Sequence, residues 1–195
     1  DFATPTKDAL AFYGDYVGSF AYERLANIQA SSVAGGMEAA SAILYHESAV
    51  TGTQSVRWRN VVIHEVAHQW FGNAVTEYDW DDVWLSEGFA TYFTLLYIEH
   101  AYGRDEFVRG LEASRRPVMT SAAANPGYTI VHKNLGRMED VTSSHTYQKG
   151  SWILHMLRGV VGEQAFRAGI RTYYERHFNA TATTVTYTAP AEARP

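Results

Sequence analysis

The stretch NVVIHEVAHQWFGN, residues 60–73, is apolar at Val61, Val62, Val66, Ala67, Trp70 and Phe71 and closes on Gly72. This pattern predicts a helix over residues 55–71, and that much apolar surface implies burial. Within it stand His64, Glu65 and His68 in the order H-E-x-x-H. On a helix, positions i and i+4 share one face, so both imidazoles can reach a single ion. Glu65 can then point at the water that completes the coordination. The same five residues also suit two packed histidines beside a surface carboxylate. A charged Glu65 in so apolar a segment nevertheless needs a partner or a task.

A catalytic zinc site commonly takes three protein ligands and one water. The chain has no cysteine, so any transition metal must be held by histidine and carboxylate. Glu87, in Ser86-Glu87-Gly88-Phe89-Ala90, lies near the start of the next predicted helix, roughly 86–102. An antiparallel return of that helix brings Glu87 back beside the histidines. Taken alone, Glu87 is better read as an ordinary first-turn charge favoured by the helix dipole.

Working outward, residues 6–18 predict a helix with Leu10, Tyr13 and Val17 on one face and Gly18 as a stop. Residues 20–31 and 41–46 are richer in aromatic and β-branched side chains and predict strands. Gly35-Gly36 between them marks a tight turn or a close backbone approach. Beyond Gly103, Asp105 is expected to cap a helix running to Arg116 before Pro117. Residues 118–144 are expected to be irregular, with helices at about 146–161 and 163–178 parted by Gly162. The tail, residues 189–195, is Ala/Pro/Glu-rich and expected to be disordered. Strands followed mostly by helices make an α+β, helix-dominated fold.

Composition narrows the function classes. Of 195 residues 46% are hydrophobic and 19% charged, as in a folded globular chain. A formal net charge of −5 argues against nucleic acid and anionic membranes as partners. No run of eighteen apolar residues spans a membrane, and residues 1–6 carry no signal-peptide pattern; the compartment is left unknown.

The strings HEVAHQWFGN (64–73) and WLSEGFA (84–90) together resemble the aminopeptidase N-type (gluzincin) family of zinc exopeptidases. Eighteen residues separate His68 from Glu87, which is that family's spacing. The resemblance implies a thermolysin-like catalytic domain over residues 1–188 with one Zn2+ per chain on His64, His68 and Glu87. It implies Glu65 as general base and removal of N-terminal residues from peptides.

Gly35-Gly36-Met37-Glu38-Ala39 resembles the family's G-x-M-E-N element. There the Glu, here Glu38, binds the substrate's free α-amine, and the adjacent backbone of Gly35, Gly36 and Met37 pairs with the peptide as an added strand. Ala39 replaces the usual Asn, so an amide able to bond the neighbouring backbone is lost. Tyr147, two residues before Lys149-Gly150, resembles the family's catalytic tyrosine and would donate to the oxyanion. The other histidines, His46, His100, His132, His145, His155 and His177, lack ligand-like spacing; Asp79, Asp81 and Asp82 form an acidic turn, better read as solvated than as a partner to a zinc-bound imidazole.

The family's N-terminal β domain and C-terminal helical domain have no counterpart in this sequence, so exposed faces and self-association are expected. The other readings are a relative acting on a different substrate, as endopeptidase or epoxide hydrolase, and a non-catalytic metal-binding scaffold. Glu38 favours the exopeptidase over the first. His64, His68, Glu87 and Tyr147 together argue against the second.

Overall fold

A computed structural model describes residues 1–131 and 141–185. In chain order these form α1 (Ala3–Tyr16), β1 (Ala26–Ala30), β2 (Gly36–Met37), β3 (Ala42–His46), α2 (Val56–Ala67), β4 (Val75–Glu77), α3 (Trp84–Tyr102), α4 (Arg104–Ala124), α5 (Gly150–Val161), α6 (Glu163–His177) and β5 (Ala180–Ala182). The α+β, helix-dominated architecture is the one expected. Among the described residues no helix is long and apolar enough to cross a membrane. The expected tail, 189–195, and His132 lie outside the described residues.

The centre of the fold is α3. It buries residues around its whole circumference from Trp84 to Ile98, so it is a core helix rather than an amphipathic surface one. Helices α2, α4 and α5 pack against it. Phe71, just past α2, meets Phe89 and Phe93 of α3 with ring centroids 4.9 and 4.6 Å apart, inside the range where aromatic pairs attract. From α1, the buried Tyr13 donates its hydroxyl to the Ile63 carbonyl at 3.2 Å, fixing α2 one residue before His64. A three-stranded sheet, ordered β1-β3-β2, lies on the other flank of the site. Strands β1 and β3 run parallel, whereas β2 pairs antiparallel with β3 through Gly36↔Tyr45 and Met37↔Leu44.

Several expected boundaries move. The helix expected over 55–71 stops at Ala67. The N–H groups of Gln69 and Trp70 reach back three residues, to the carbonyls of Val66 and Ala67, and Gly72 turns with φ +118°. His68 stays in the helical region as the C-terminal cap, so its alignment with His64 survives. Within 20–31 only Ala26–Ala30 pairs as a strand; the Phe20 ring instead packs on Trp70, with centroids 5.5 Å apart. Gly36 realises the close approach rather than the turn. The helix α4 starts after Gly103, leaving Asp105 in its first turn, and passes through Pro117 to Ala124. Proline removes one N–H, but Ala113, whose carbonyl loses that donor, is exposed and open to water. Residues 118–124 are therefore helical, not irregular. A wide π-type turn at His145–Lys149 leads into α5. Strands β4 and β5 were not expected; they pair parallel, Val75 with Ala180, and at three residues each they carry no readable alternation.

Candidate metal centre and active site

Helix α2 presents His64 and His68 on one face, and the first turn of α3 presents Glu87 to them. The two imidazole Nε2 atoms stand 3.1 Å apart. Glu87 Oε2 lies 3.3 Å from His64 Nε2 and 3.1 Å from His68 Nε2. Bonds of ~2.0–2.1 Å in tetrahedral geometry require ligand atoms about 3.3–3.4 Å apart, so this triangle fits one face of a zinc coordination shell. Its donors, two imidazoles and a carboxylate, are a set that catalytic zinc uses. His64 keeps 19% of its side chain exposed, whereas His68 is 1% exposed, so the open side of the triangle faces the cavity from His64.

The electrostatics favour positive charge at this point. Burial alone would lower the His68 imidazole, but the Glu87 carboxylate beside it raises it to about 10. Glu87 resists the upward push of burial and is held well below the usual carboxylate range by His68 and His64. The field that would hold a proton on His68 also favours a divalent cation between these groups.

The remaining atoms of the ligand set are oriented by neighbours. His68 Nδ1 lies 3.0 Å from both the Phe71 carbonyl and Ser86 Oγ. A proton on Nδ1 donated to Phe71 leaves the Nε2 lone pair for an ion. The acidic turn does not supply this partner. Asp82, expected to be solvated, is instead buried and accepts from the Thr184 amide at 3.2 Å. Glu87 Oε1 accepts from the Tyr147 hydroxyl at 2.7 Å. Burial, then the Glu87 charge, pushes the Tyr147 phenol far up, so it stays a donor across the working pH range. Tyr147 reaches Glu87 because Gly88 and Gly150 let α3 and α5 touch: a Cβ on Gly88 would sit 2.9 Å from the Gly150 Cα.

Glu65 is 6% exposed. Burial raises its carboxyl, His64 and His68 pull it back, and the charges of Glu38 and Glu87 raise it further, leaving it more basic than an ordinary carboxylate. The Gly36 backbone lies against it: a Cβ on Gly36 would fall 2.1 Å from Glu65 Oε1 and 2.4 Å from Cγ. Beyond it, the Glu38 carbonyl accepts from Asn73 Nδ2 at 2.7 Å and from Gln69 Nε2 at 3.2 Å. Gln69 Oε1 takes the Ser41 amide at 2.9 Å. Two side-chain amides from the turn that follows α2 thus hold the segment in which Ala39 replaces asparagine. Sequence reasoning missed Gln69, Asn73 and Ser86. The first two were visible as amides inside the string that resembled a family, but their partner is a backbone carbonyl, which no sequence pattern marks.

All nine residues singled out from the sequence, Gly35, Gly36, Met37, Glu38, His64, Glu65, His68, Glu87 and Tyr147, line one cavity of about 640 Å3. The other described histidines are engaged elsewhere. His46 stacks on Trp58, His155 meets the Tyr92 hydroxyl at 3.2 Å, and His177 meets the Thr181 carbonyl at 3.2 Å.

Comparison with known proteins points the same way. The family model described as the peptidase family M1 domain matches residues 3–190. Aminopeptidase N of Lactococcus lactis subsp. lactis is 37% identical over 142 residues, covering 68% of this chain and 16% of its own length. A probable aminopeptidase 2 of Sulfurisphaera tokodaii is 31% identical over 192 residues, covering 91% of this chain and 24% of its own. The crystal structure of an M1 zinc metallopeptidase from Deinococcus radiodurans superposes with a TM-score of 0.77 at 26% identity, over 95% of this chain and 39% of that one. The chain thus spans about a quarter or less of these two curated relatives.

Proposed function

The chain belongs to peptidase family M1, and from that premise we propose that it is a zinc-dependent aminopeptidase domain that hydrolyses the first peptide bond of substrates with a free N-terminus. The observation carrying this is the convergence of His64 Nε2, His68 Nε2 and Glu87 Oε2 to within 3.1–3.3 Å of one another, beside a basic, buried Glu65. We take residues 1–188 as its catalytic unit.

His64, His68 and Glu87 hold the zinc in this reading. When bound, it polarises the scissile carbonyl and lowers the pKa of the attacking water. Glu65 takes the proton from that water as it attacks and delivers it to the departing amine. Tyr147 turns its hydroxyl from Glu87 to the oxyanion that develops on the carbonyl. The substrate backbone lies along β2, the edge of the three-stranded sheet. In an antiparallel pair the residue between two bonded positions directs its N–H and C=O outward, and Gly36 holds that place next to Gly35, whose carbonyl accepts from the His46 amide at 2.8 Å. Glu38 binds the α-ammonium, and so sets the distance from the N-terminus to the bond that is cut.

A panel of aminoacyl-anilides against N-acetylated peptides, with and without chelator, tests the proposal. Chelator-sensitive cleavage confined to free amines is expected. Cleavage of blocked peptides at equal rate would point to an endopeptidase, and zinc binding without any turnover to a scaffold.

Two variants probe the geometry. Tyr147→Phe is expected to lower kcat about a hundredfold while KM changes far less, because the oxyanion exists only along the reaction path. An unchanged kcat would make Tyr147 structural. Gly36→Ala places a methyl where the Glu65 carboxylate now sits. Since a misplacement of about 1 Å can cost about a hundredfold, we expect kcat/KM to fall by about that factor with the bound zinc retained. Steady-state kinetics with metal analysis on the same sample checks both halves.

A further inference from the structure

The loop that carries Glu38 has little hold of its own. Ala39 and Ala40 are exposed. Ser41 sits at φ +61°, a left-handed conformation that a residue other than glycine keeps when its surroundings impose it. Those surroundings include two side-chain amides. Gln69 is 0% exposed and turns both ends of its amide to main chain. Its Oε1 accepts from the Ser41 amide at 2.9 Å, and its Nε2 donates to the Glu38 carbonyl at 3.2 Å and the Glu65 carbonyl at 3.4 Å. Asn73 Nδ2 donates to the same Glu38 carbonyl at 2.7 Å, while the Asn73 N–H goes to the His68 carbonyl at 3.0 Å. The main chain of Glu38 is thus tied to Glu65 through Gln69 and to His68 through Asn73. Its carboxylate has an oxygen within 4.8 Å of one ligand atom each of Glu65 and His68.

We propose, resting on the aminopeptidase reading, that Gln69 and Asn73 are positioning residues for Glu38: they fix the distance from the amine-binding carboxylate to the metal, and with it the choice of the first peptide bond. They act through the Glu38 main chain. A charge-assisted hydrogen bond to an ammonium is short and demands one carboxylate position. A loop free to shift by about 1 Å would forfeit about a hundredfold in rate. The turn itself is local, closed by the Ala42 N–H on the Ala39 carbonyl at 3.0 Å, so it can move as a unit. The two amides tie that unit to the metal-binding segment. Ala39 has no side-chain amide with which to share the task, so it rests on Gln69 and Asn73.

The test measures calorimetric binding of leucine hydroxamate and its desamino counterpart, 4-methylpentanohydroxamic acid, to the zinc-loaded chain, to Asn73→Ala and to Gln69→Met/Asn73→Ala. Both ligands carry a hydroxamate for the metal, and the first also carries the ammonium. The wild type is expected to favour leucine hydroxamate by about tenfold or more, the scale of a hydrogen bond to a charged group. That ratio should fall about threefold or more in Asn73→Ala, which removes one neutral hydrogen bond, and approach one in the double variant. Affinity for the desamino ligand should not change, because a general loosening of the site would weaken both ligands alike. A wild-type ratio below about twofold, a ratio kept in Asn73→Ala, or an equal loss of affinity for both ligands overturns the proposal. Asn73→Ala leaves Gln69 in place and decides alone if the double variant does not fold. Hydrolysis of leucyl-anilide and acetyl-leucyl-anilide keeps the two readings apart. A ratio that falls in Asn73→Ala, with neither anilide cleaved, defeats the peptidase reading and leaves the positioning role standing. Cleavage confined to leucyl-anilide, with the ratio unmoved in Asn73→Ala, does the opposite.

Discussion

Glu65→Gln is expected to lower kcat by about a thousandfold, within the ~10²–10⁴ that general acid–base catalysis supplies, while the chain still binds one zinc. The substitution is nearly isosteric, so the amide can occupy the space against Gly36 that the carboxylate fills now. It contributes no ligand atom to the triangle of His64, His68 and Glu87, so metal affinity has no direct reason to change. What disappears is basicity. In the wild type, burial and the nearby carboxylates make Glu65 a better proton acceptor than a solvated glutamate, and an amide accepts no proton at any working pH. Initial rates on a free-amine anilide, set beside zinc content on the same sample, decide the matter. A variant that keeps its zinc and stays within about tenfold of the wild-type rate would remove Glu65 from the role of base.

Glu87→Ala is expected to act on the other quantity, the metal itself. It removes one corner of the triangle and the negative charge that favours a cation between two imidazoles. Losing an outer partner of a zinc ligand commonly costs about 10–100-fold in affinity, so losing a ligand should cost at least about a hundredfold. Zinc should then be lost on dialysis under conditions where the wild type keeps it. Because an ion that binds only the folded chain stabilises it, added zinc should raise the Tm of the wild type and not of the variant. The alanine also strips Tyr147 of its acceptor, so Glu87→Gln is the companion: it keeps an oxygen for the phenol and removes the charge. Wild-type zinc retention in both variants would exclude Glu87 as a ligand.

These two experiments concern the part of the molecule most legible in the sequence. His64 and His68 are legible because one helical turn relates them, and local geometry alone puts them on one face. Glu87 became legible only through the eighteen-residue gap and its flanking residues, since its approach depends on how α3 returns across α2. The apolar content of α2 and α3 announced burial, and Gly103 and Gly162, both at positive φ, marked real breaks. What stayed hidden depends on partners distant in sequence. Strand β4 exists because β5 arrives beside it from the far end of the described chain. Phe20 leaves the strand pattern because Trp70 offers its ring a better surface. Pro117 did not stop α4, because an exposed carbonyl can exchange a helix partner for water. The clasp of Gln69 and Asn73 on the Glu38 carbonyl has the same origin: a side chain answering a backbone atom about thirty residues away.

The contact of Gly88 with Gly150 bears on how such a site can diverge. The separation between the Glu87 carboxylate and the Tyr147 phenol is set by main chain resting on main chain, so side-chain replacement elsewhere in the cavity has little leverage over it. Glu77 and Trp80 lie ahead of α3, on residues that belong to neither α3 nor α5, whereas Val83 caps α3 and takes the Glu87 amide on its carbonyl. Cavity residues outside those two helices, Glu77 and Trp80 among them, can therefore be exchanged in the laboratory while Glu87 and Tyr147 keep their mutual positions.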